Sequence, residues 1–221
     1  MQCNRALARW AQRFFDLGAA DAPPPAAAAP LPSPPTALVF DTETCGSKGG
    51  QLAVQIAWVV YDRAGDELSA RCEYLALPPG RKVNVFARRV HGISDATLRA
   101  KGLAPQFVLA EFFEAADRVV AAGGRLVAHN AAFDAQVVSN TAESCGLARD
   151  LLASECLCTM ELSKHRLGLR NRRGALKPPK NAELYAHLVG IELDDATLHD
   201  ALADVRVTGA NFFAGRAKRW W

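Results

Sequence analysis

The chain has 221 residues, half of them hydrophobic, enough for one sizeable core with room for an appendage. A net charge of +3 and a pI near 8.6 make it mildly basic, which permits an anionic partner without demanding one. No apolar run approaches the roughly 20 residues of a membrane span.

Residues 1–20 read as a short amphipathic helix. Leu7, Trp10, Phe14 and Leu17 recur at helical spacing, and Arg5, Arg9 and Arg13 form a basic stripe. Three roles fit it: an organelle-targeting presequence, a segment docking on a partner or membrane surface, or a helix packed on its own domain. Residues 21–36 are mostly Pro and Ala, the composition of an extended, semi-rigid linker. The region 37–221 carries the folding pattern.

That region opens with a strand over Leu38 to Glu43. Residues i and i+2 of a strand share a face, so Asp41 and Glu43 would present two carboxylates side by side. Two such charges are costly together unless one stays protonated or a cation sits between them. Val54 to Tyr61 and Glu67 to Leu77 follow as a hairpin turning through Asp62-Arg63-Ala64-Gly65. Pro105 to Ala122 is helical, with Val108, Phe112, Ala115, Ala116 and Val119 as its apolar stripe and Gly123-Gly124 as its stop. Gln106-Phe107-Val108-Leu109 with Phe112-Phe113 has the spacing of a sliding-clamp-binding peptide. Its place inside a helix whose apolar side the core needs argues against that use.

Arg125 to His129 is a short buried strand, followed by a helix to about Cys145. Cys156 to Met160 is expected to be the last strand. Asn181 is expected to cap a helix through Leu188 that Gly190 ends, and Leu198, Leu202, Val205, Gly209 and Phe212 define a final helix. Three strands followed by alternating helices and strands give an α/β pattern with a mixed sheet. Between Lys164 and Lys180 stand Arg166, Arg170, Arg172, Arg173 and Lys177 with no acid, which reads either as a solvated loop or as a nucleic-acid contact. The tail Arg216, Lys218, Arg219, Trp220-Trp221 would either add charge and stacking or fold back on the domain.

The six cysteines (Cys3, Cys45, Cys72, Cys145, Cys156, Cys158) lack the spacing of a disulfide framework or of paired zinc knuckles, and no secretory signal is seen. A reducing, intracellular compartment is expected, cytoplasmic or within an organelle or nucleus.

The carboxylate pair Asp41-Thr42-Glu43, the later segment His129-Asn130-Ala131-Ala132-Phe133-Asp134, and His199-Asp200-Ala201-Leu202-Ala203-Asp204 come in a telling order. Together with Val90-His91-Gly92-Ile93-Ser94, they resemble the DEDDh class of the DnaQ-like 3′–5′ exonucleases, the proofreading-exonuclease family. The resemblance spans roughly Ala37 to Phe213. It implies a ribonuclease H-like fold, a mixed five-stranded sheet flanked by helices, with residues 37–221 as the exonuclease domain.

The resemblance also implies a reaction and a cofactor. Two divalent ions about 3.5–4 Å apart would activate a water and offset charge on the phosphoryl and leaving oxygens. Oxygen-only ligands favour Mg²⁺ or Mn²⁺. By the family pattern Asp41 bridges both ions, Glu43 and Asp204 complete one site, and Asp134 supports the other. His199 would be the general base, since imidazole titrates near neutrality. Five residues of helix turn about 140° past a full turn, so His199 and Asp204 would not share a face, and His199 belongs on the segment leading into the helix.

Thr42, Thr44, Val90, His91, Asn130 and Phe133 are the candidate substrate contacts. Val90 and His91 fall where the family meets the 3′-terminal nucleotide, and Phe133 would stack on a base or join the core. His129, at the end of a buried strand, fits a hydrogen-bonded structural role. Many members place a Glu five residues before the histidine of the His-Gly-Ile motif. Here that position is Phe86, which leaves that acid's sugar or terminal-hydroxyl contact open.

The implied substrates are 3′ ends of single-stranded DNA or RNA, with DNA favoured and 5′-mononucleotides released. An exoribonuclease that trims RNA and a catalytically weak binding module of replication or repair machinery are the alternatives. A polymerase or repair partner would suit either setting.

Overall fold

The computed structural model describes residues 33–46, 50–193 and 200–221. The expected N-terminal helix, the linker up to residue 32, Cys3, Leu198 and His199 lie outside the described residues.

Strands β1 (Ala37–Thr44), β2 (Ala53–Tyr61) and β3 (Glu67–Tyr74) form an antiparallel meander. Strand β4 (Arg125–Ala128) pairs parallel with β1, and β5 (Cys156–Cys158) parallel with β4. The five-stranded sheet therefore runs β3-β2-β1-β4-β5, with β1 at its centre. A central strand is covered on both faces, which explains the unbroken apolar run Ala37-Leu38-Val39-Phe40, all at 0 % exposure.

Helices cover the two faces. Those described are α1 (Val85–His91), α2 (Asp95–Lys101), α3 (Pro105–Ala121), α4 (Ala131–Ser144), α5 (Thr159–Leu167), α6 (Asn181–Val189) and α7 (Ala201–Ala217). Side-chain alternation along β1 divides the core between them. Leu38 and Phe40 pack with Ile56, Trp58 and the buried faces of α3 and α4. Val39 packs with Ala57, Val59, Val127 and the α7 residues Ala201, Val205 and Phe212. The Phe112 ring lies 5.3 Å from Phe40 and 5.7 Å from Trp58, centroid to centroid. Val108, Leu109, Phe112 and Phe113 are all buried, so the clamp-like spacing on α3 is core packing.

Three expectations about the elements are corrected. The last strand stops at Cys158, because Thr159 is fully buried at the sheet edge and opens α5, so Met160 is helical. Strand β3 ends at Tyr74, and Leu75 makes only an isolated bridge to Leu103. Asn181 does not cap α6. Lys180 occupies the cap position, and the Asn181 amide reaches across to α7 instead.

The expected basic loop is largely ordered. Lys164 to Leu167 finish α5, and Arg170 and Leu176 pair as a bridge closed by Lys177 N–H donating to Leu169 O at 2.9 Å. Asn171 Oδ1 accepts the N–H groups of Arg173 (2.9 Å) and Ala175 (3.1 Å), fixing the hairpin tip. The C-terminal tail folds back: Trp221 Nε1 donates to Phe212 O at 3.0 Å, and Trp220 stacks near His187 and beneath Arg166.

Sequence reading passed over α1 and α2, each of seven residues. Their signals were present: Asn84 Oδ1 accepts from Phe86 N–H, Gly92 closes α1 at φ 73°, and the Ser94 hydroxyl accepts from Thr97 N–H to open α2.

Candidate active site

The alternation that splits the core also builds the site. Asp41 and Glu43 continue the Val39 face of β1, toward α7, whose first turn carries Asp204. One ligand oxygen from each of Asp41, Glu43 and Asp204 lies within 4.8 Å of the other two. Thr42 continues the Phe40 face, toward α4, and there meets Asp134. Thr42 N–H and its hydroxyl both donate to Asp134 Oδ1, at 3.2 and 2.8 Å.

Asp134 is placed by the turn between β4 and α4. Asn130 sits there in the left-handed region at φ 81°, a conformation that asparagine tolerates better than most residues, and lets the strand turn straight into the helix.

Electrostatics set the character of the cluster. Burial, then Asp134, Asp204 and Glu43, hold the Asp41 carboxyl well above the usual carboxylate range. Burial and the neighbouring acids push Glu43 up to about 8. Both carboxyls are hemmed in by protein atoms, although one edge of each reaches solvent. Burial raises Asp134 to about 7 against the two bonds from Thr42, which favour its charged form. Among the described residues no Lys or Arg forms an ion pair with Asp41 or Glu43. Oxygen donors crowded this closely, with no Lys or Arg paired to Asp41 or Glu43 among the described residues, fit a hard divalent ion.

A cavity of about 500 Å³ opens over these groups, of a size to take a small ligand. Asp41, Thr42, Glu43, Asn130, Phe133, Asp134 and Asp204 all line it. Thr44, Val90 and His91 do not. Thr44 instead has its hydroxyl bonded by Gly46 N–H at 3.3 Å and its carbonyl bonded by His91 Nε2 at 3.1 Å. His91 Nδ1 accepts from Ile93 N–H at 3.0 Å, which fixes the ring locally, while Nε2 ties the end of α1 to the end of β1. Val90 is 54 % exposed on α1.

Pro178, Pro179, Lys180 and Met160 complete the cavity wall, and sequence reading did not single them out. What places them is His129. Its Nε2 faces Pro179 O at 3.1 Å, and its Nδ1 faces the Thr159 hydroxyl at 3.0 Å. A carbonyl only accepts, so Nε2 carries the proton and Nδ1 accepts from Thr159. Burial pushes the ring down to about 4, so it is neutral near pH 7 and serves as a strut. Asn181 is a second strut: its Nδ2 donates to Asp204 O (3.1 Å) and to the Thr208 hydroxyl (2.9 Å), fastening α6 to α7.

Residues 38–212 match the RNase_T exonuclease family, and the carboxylates that meet here fall inside that span. The chain belongs to the DEDDh, DnaQ-like exonucleases. The fold of this exonuclease domain is ribonuclease H-like, and solved structures share it. Escherichia coli exonuclease I in complex with a dA16 oligonucleotide matches with a TM-score of 0.67 at 18% identity, over 83% of this chain and 41% of that one. The apo form of exonuclease I matches at 0.66 and 19%, over 83% and 43%. The zinc-bound form of the E. coli complex with single-stranded DNA matches at 0.63 and 20%, over 83% and 40%. At such identities the likeness is one of fold, and this exonuclease spans about two-fifths of the length of exonuclease I. No curated protein matches it in sequence. Among the described residues no helix is long and apolar enough to cross a membrane, and Cys72, Cys145, Cys156 and Cys158 are free thiols.

Proposed function

We propose that the chain is a metal-dependent 3′–5′ exonuclease that removes 5′-mononucleotides from the 3′ ends of single strands, DNA in preference to RNA. The observation that carries this reading is the meeting of Asp41, Glu43 and Asp204 within 4.8 Å in a cavity that also holds Asp134. Single-stranded DNA is favoured because exonuclease I, of the same fold, is seen with dA16 and dT13 oligonucleotides.

Asp41, Glu43, Asp204 and Asp134 would hold Mg²⁺ or Mn²⁺, two ions in all. When bound, such ions lower the pKa of an attacking water and offset charge on the phosphoryl and leaving oxygens. Thr42 fixes one Asp134 oxygen through two hydrogen bonds, which holds this carboxylate at the cavity it lines. In the reaction a water oxygen forms a bond to phosphorus and the P–O3′ bond breaks. The shortened strand keeps a 3′-hydroxyl and the released nucleotide keeps the phosphate. His199, directly before the Asp200 cap of α7 in sequence, is the proposed acceptor of the water's proton. Phe133, at the cavity rim and 37 % exposed, is placed to stack on the terminal base, with Asn130 beside it.

The hairpin Leu169–Lys177 feeds directly into Pro178-Pro179-Lys180 of the cavity wall. Its cations are not equivalent. Arg170 donates to Gly174 O at 2.7 Å and serves the hairpin itself, and Lys177 pairs with Glu183 at 2.6 Å. Arg172 and Arg173 are exposed at the tip and are the residues assigned to strand phosphates.

The test is hydrolysis of matched DNA and RNA oligonucleotides labelled at either end, with Mg²⁺, with Mn²⁺ and with excess chelator. Stepwise shortening from the 3′ end of single-stranded DNA that chelator abolishes is the expected result. Faster shortening of the RNA would move the assignment to an exoribonuclease, and no metal-dependent cleavage of either would overturn it.

A further inference from the structure

Strand β2 is buried throughout and apolar but for one residue whose chemistry does not suit such a place. Gln55 is 3 % exposed and stands opposite Glu43 in the β1–β2 register. A buried amide is costly unless its donors and acceptor are all matched, and this one is matched by the start of α7. Gln55 Oε1 accepts from Ala201 N–H at 3.3 Å, while Nε2 donates to Asp200 Oδ2 at 3.3 Å and to Cys72 Sγ at 3.3 Å. A backbone N–H can only donate and a carboxylate can only accept, so the partners force the orientation of the amide.

The two contacts reach residues that organise the first turn of α7. Asp200 Oδ1 caps the helix by accepting from Ala203 N–H at 3.3 Å. The Asp200 carbonyl accepts from Asp204 N–H at 3.0 Å. Gln55 therefore supplies a partner to one of the helix's orphan N–H groups and holds the side chain that satisfies another. The turn so held carries Asp204, whose carboxylate is brought against Asp41 and Glu43. Crowding three carboxyls there works against that placement of α7, and a clamp from β2 opposes it.

We propose that Gln55 is a positioning residue: its amide clamps the first turn of α7 to β2 and holds Asp204 in register with Asp41 and Glu43. The inference rests on the exonuclease reading for its catalytic consequence, but the clamp itself is open to test without metal or substrate.

The experiment compares the full chain with Gln55→Leu, Gln55→Glu and the double variant Gln55→Glu/Asp200→Asn. Gln55→Glu sets two acceptors face to face at Asp200. The double variant restores a donor between them with the polarity reversed and conserves the net charge of the site. Asn caps a helix as well as Asp, so the α7 cap survives.

Amide hydrogen exchange in the metal-free protein reads the clamp directly. Exchange at Ala201 and Asp204 should quicken in Gln55→Leu and Gln55→Glu and return toward wild type in the double variant. On a single-stranded oligonucleotide with Mn²⁺, kcat should fall about 10–100-fold in Gln55→Glu, the usual effect of losing a partner one step behind a metal ligand. KM for the strand should hardly move, half-maximal rate should need more Mn²⁺, and the double variant should recover most of both losses.

Wild-type exchange and kcat in both single variants would overturn the proposal, as would a double variant no better than Gln55→Glu. If Gln55→Glu is too unstable to assay, a folded and active double variant supports the clamp and an equally unstable one overturns it. A wild-type chain without nuclease activity would sink the exonuclease reading, and the exchange arm would still decide the role of Gln55.

Discussion

Removing divalent metal should make the protein less stable as pH rises from 6.5 to 8. Glu43 is pushed from its ordinary 4.5 up to about 8 in the fold, so between those values the folded state holds a proton that the unfolded chain has lost. Stability falls with pH wherever the folded state binds more protons. His129 works in the opposite sense. Its folded value is about 4 against an ordinary 6.5, so the unfolded chain holds the extra proton and stability rises with pH between the two. From pH 4.5 to 6.5 the two contributions are each about 2 kcal/mol and nearly cancel. Above 6.5 His129 adds only about 0.4 kcal/mol more, and the carboxylates dominate.

Across pH 6.5 to 8 Glu43 by itself removes about 1.5–2 kcal/mol at full strength, and about 1–2 once solvent screening at its open edge is allowed for. That is a sizeable part of a typical domain stability of about 5–15 kcal/mol. Urea denaturation in excess chelator at pH 6.5, 7.25 and 8 measures it, with Glu43→Gln as the control that should remove most of the slope. Mg²⁺ or Mn²⁺ at about a hundred times its Kd should return about 2.7 kcal/mol at pH 8. A wild-type stability that stays level or rises over this window, in step with Glu43→Gln, would refute the picture of mutually repelling carboxylates.

Asp41→Ala should abolish turnover without unfolding the chain, since it takes one charge out of a crowded cluster; full activity in that variant would remove Asp41 from the metal site. Replacing Arg172 and Arg173 with Ala should lower the salt slope of strand binding by about 1.4 and leave a dinucleotide substrate nearly unaffected, whereas Arg170→Ala should act through hairpin stability. His199→Ala should keep metal binding but lower turnover by roughly 10²–10⁴-fold, with part of the loss recovered at higher pH; near-normal turnover would return His199 to a helix-start role.

The sheet and its acids were legible because they rest on local rules. A buried central strand must be apolar on both faces, and Leu38-Val39-Phe40 running into Asp41 and Glu43 announces both the strand and its end. The alternation of that strand also fixes which acid faces which helix layer. The short helices α1 and α2 were hidden because seven residues give too little periodicity, and only their caps betray them. The end of β5 was misplaced because Cys156, Cys158 and Met160 alternate as a strand would, whereas Thr159 is drawn into the core and starts a helix. Contacts across long separations were not legible at all. Asn181 looked like a cap, and its amide spans 23 and 27 residues to reach Asp204 and Thr208. Gln55 carried no signal beyond being polar in an apolar strand, and its partners on α7 lie 145 and 146 residues away.

Those distant contacts share a purpose that the acids alone do not reveal. The cluster draws Asp41 and Glu43 from a rigid central strand but Asp204 from the first turn of a helix, where backbone hydrogen bonds are fewest. Left to itself, that turn would yield to the repulsion of three carboxylates. Gln55 grips it from β2 and Asn181 from α6. Asn211, buried at 0 % exposure farther along α7, donates to both Asn181 O and Asn181 Oδ1 and sets the Asn181 amide in turn. His129 holds Pro179, and with it the chain leading into α6, against the end of β4. Neutral amides and a neutral imidazole suit this work, because they brace the Asp204 turn and the cavity wall by hydrogen bonds without neutralising the charge that a metal ion would need. A lysine or arginine in the position of Gln55 would pair with the same acids and compete with the cation for them. The uncharged character of these struts is therefore part of the design of the site, as much as the acids they hold.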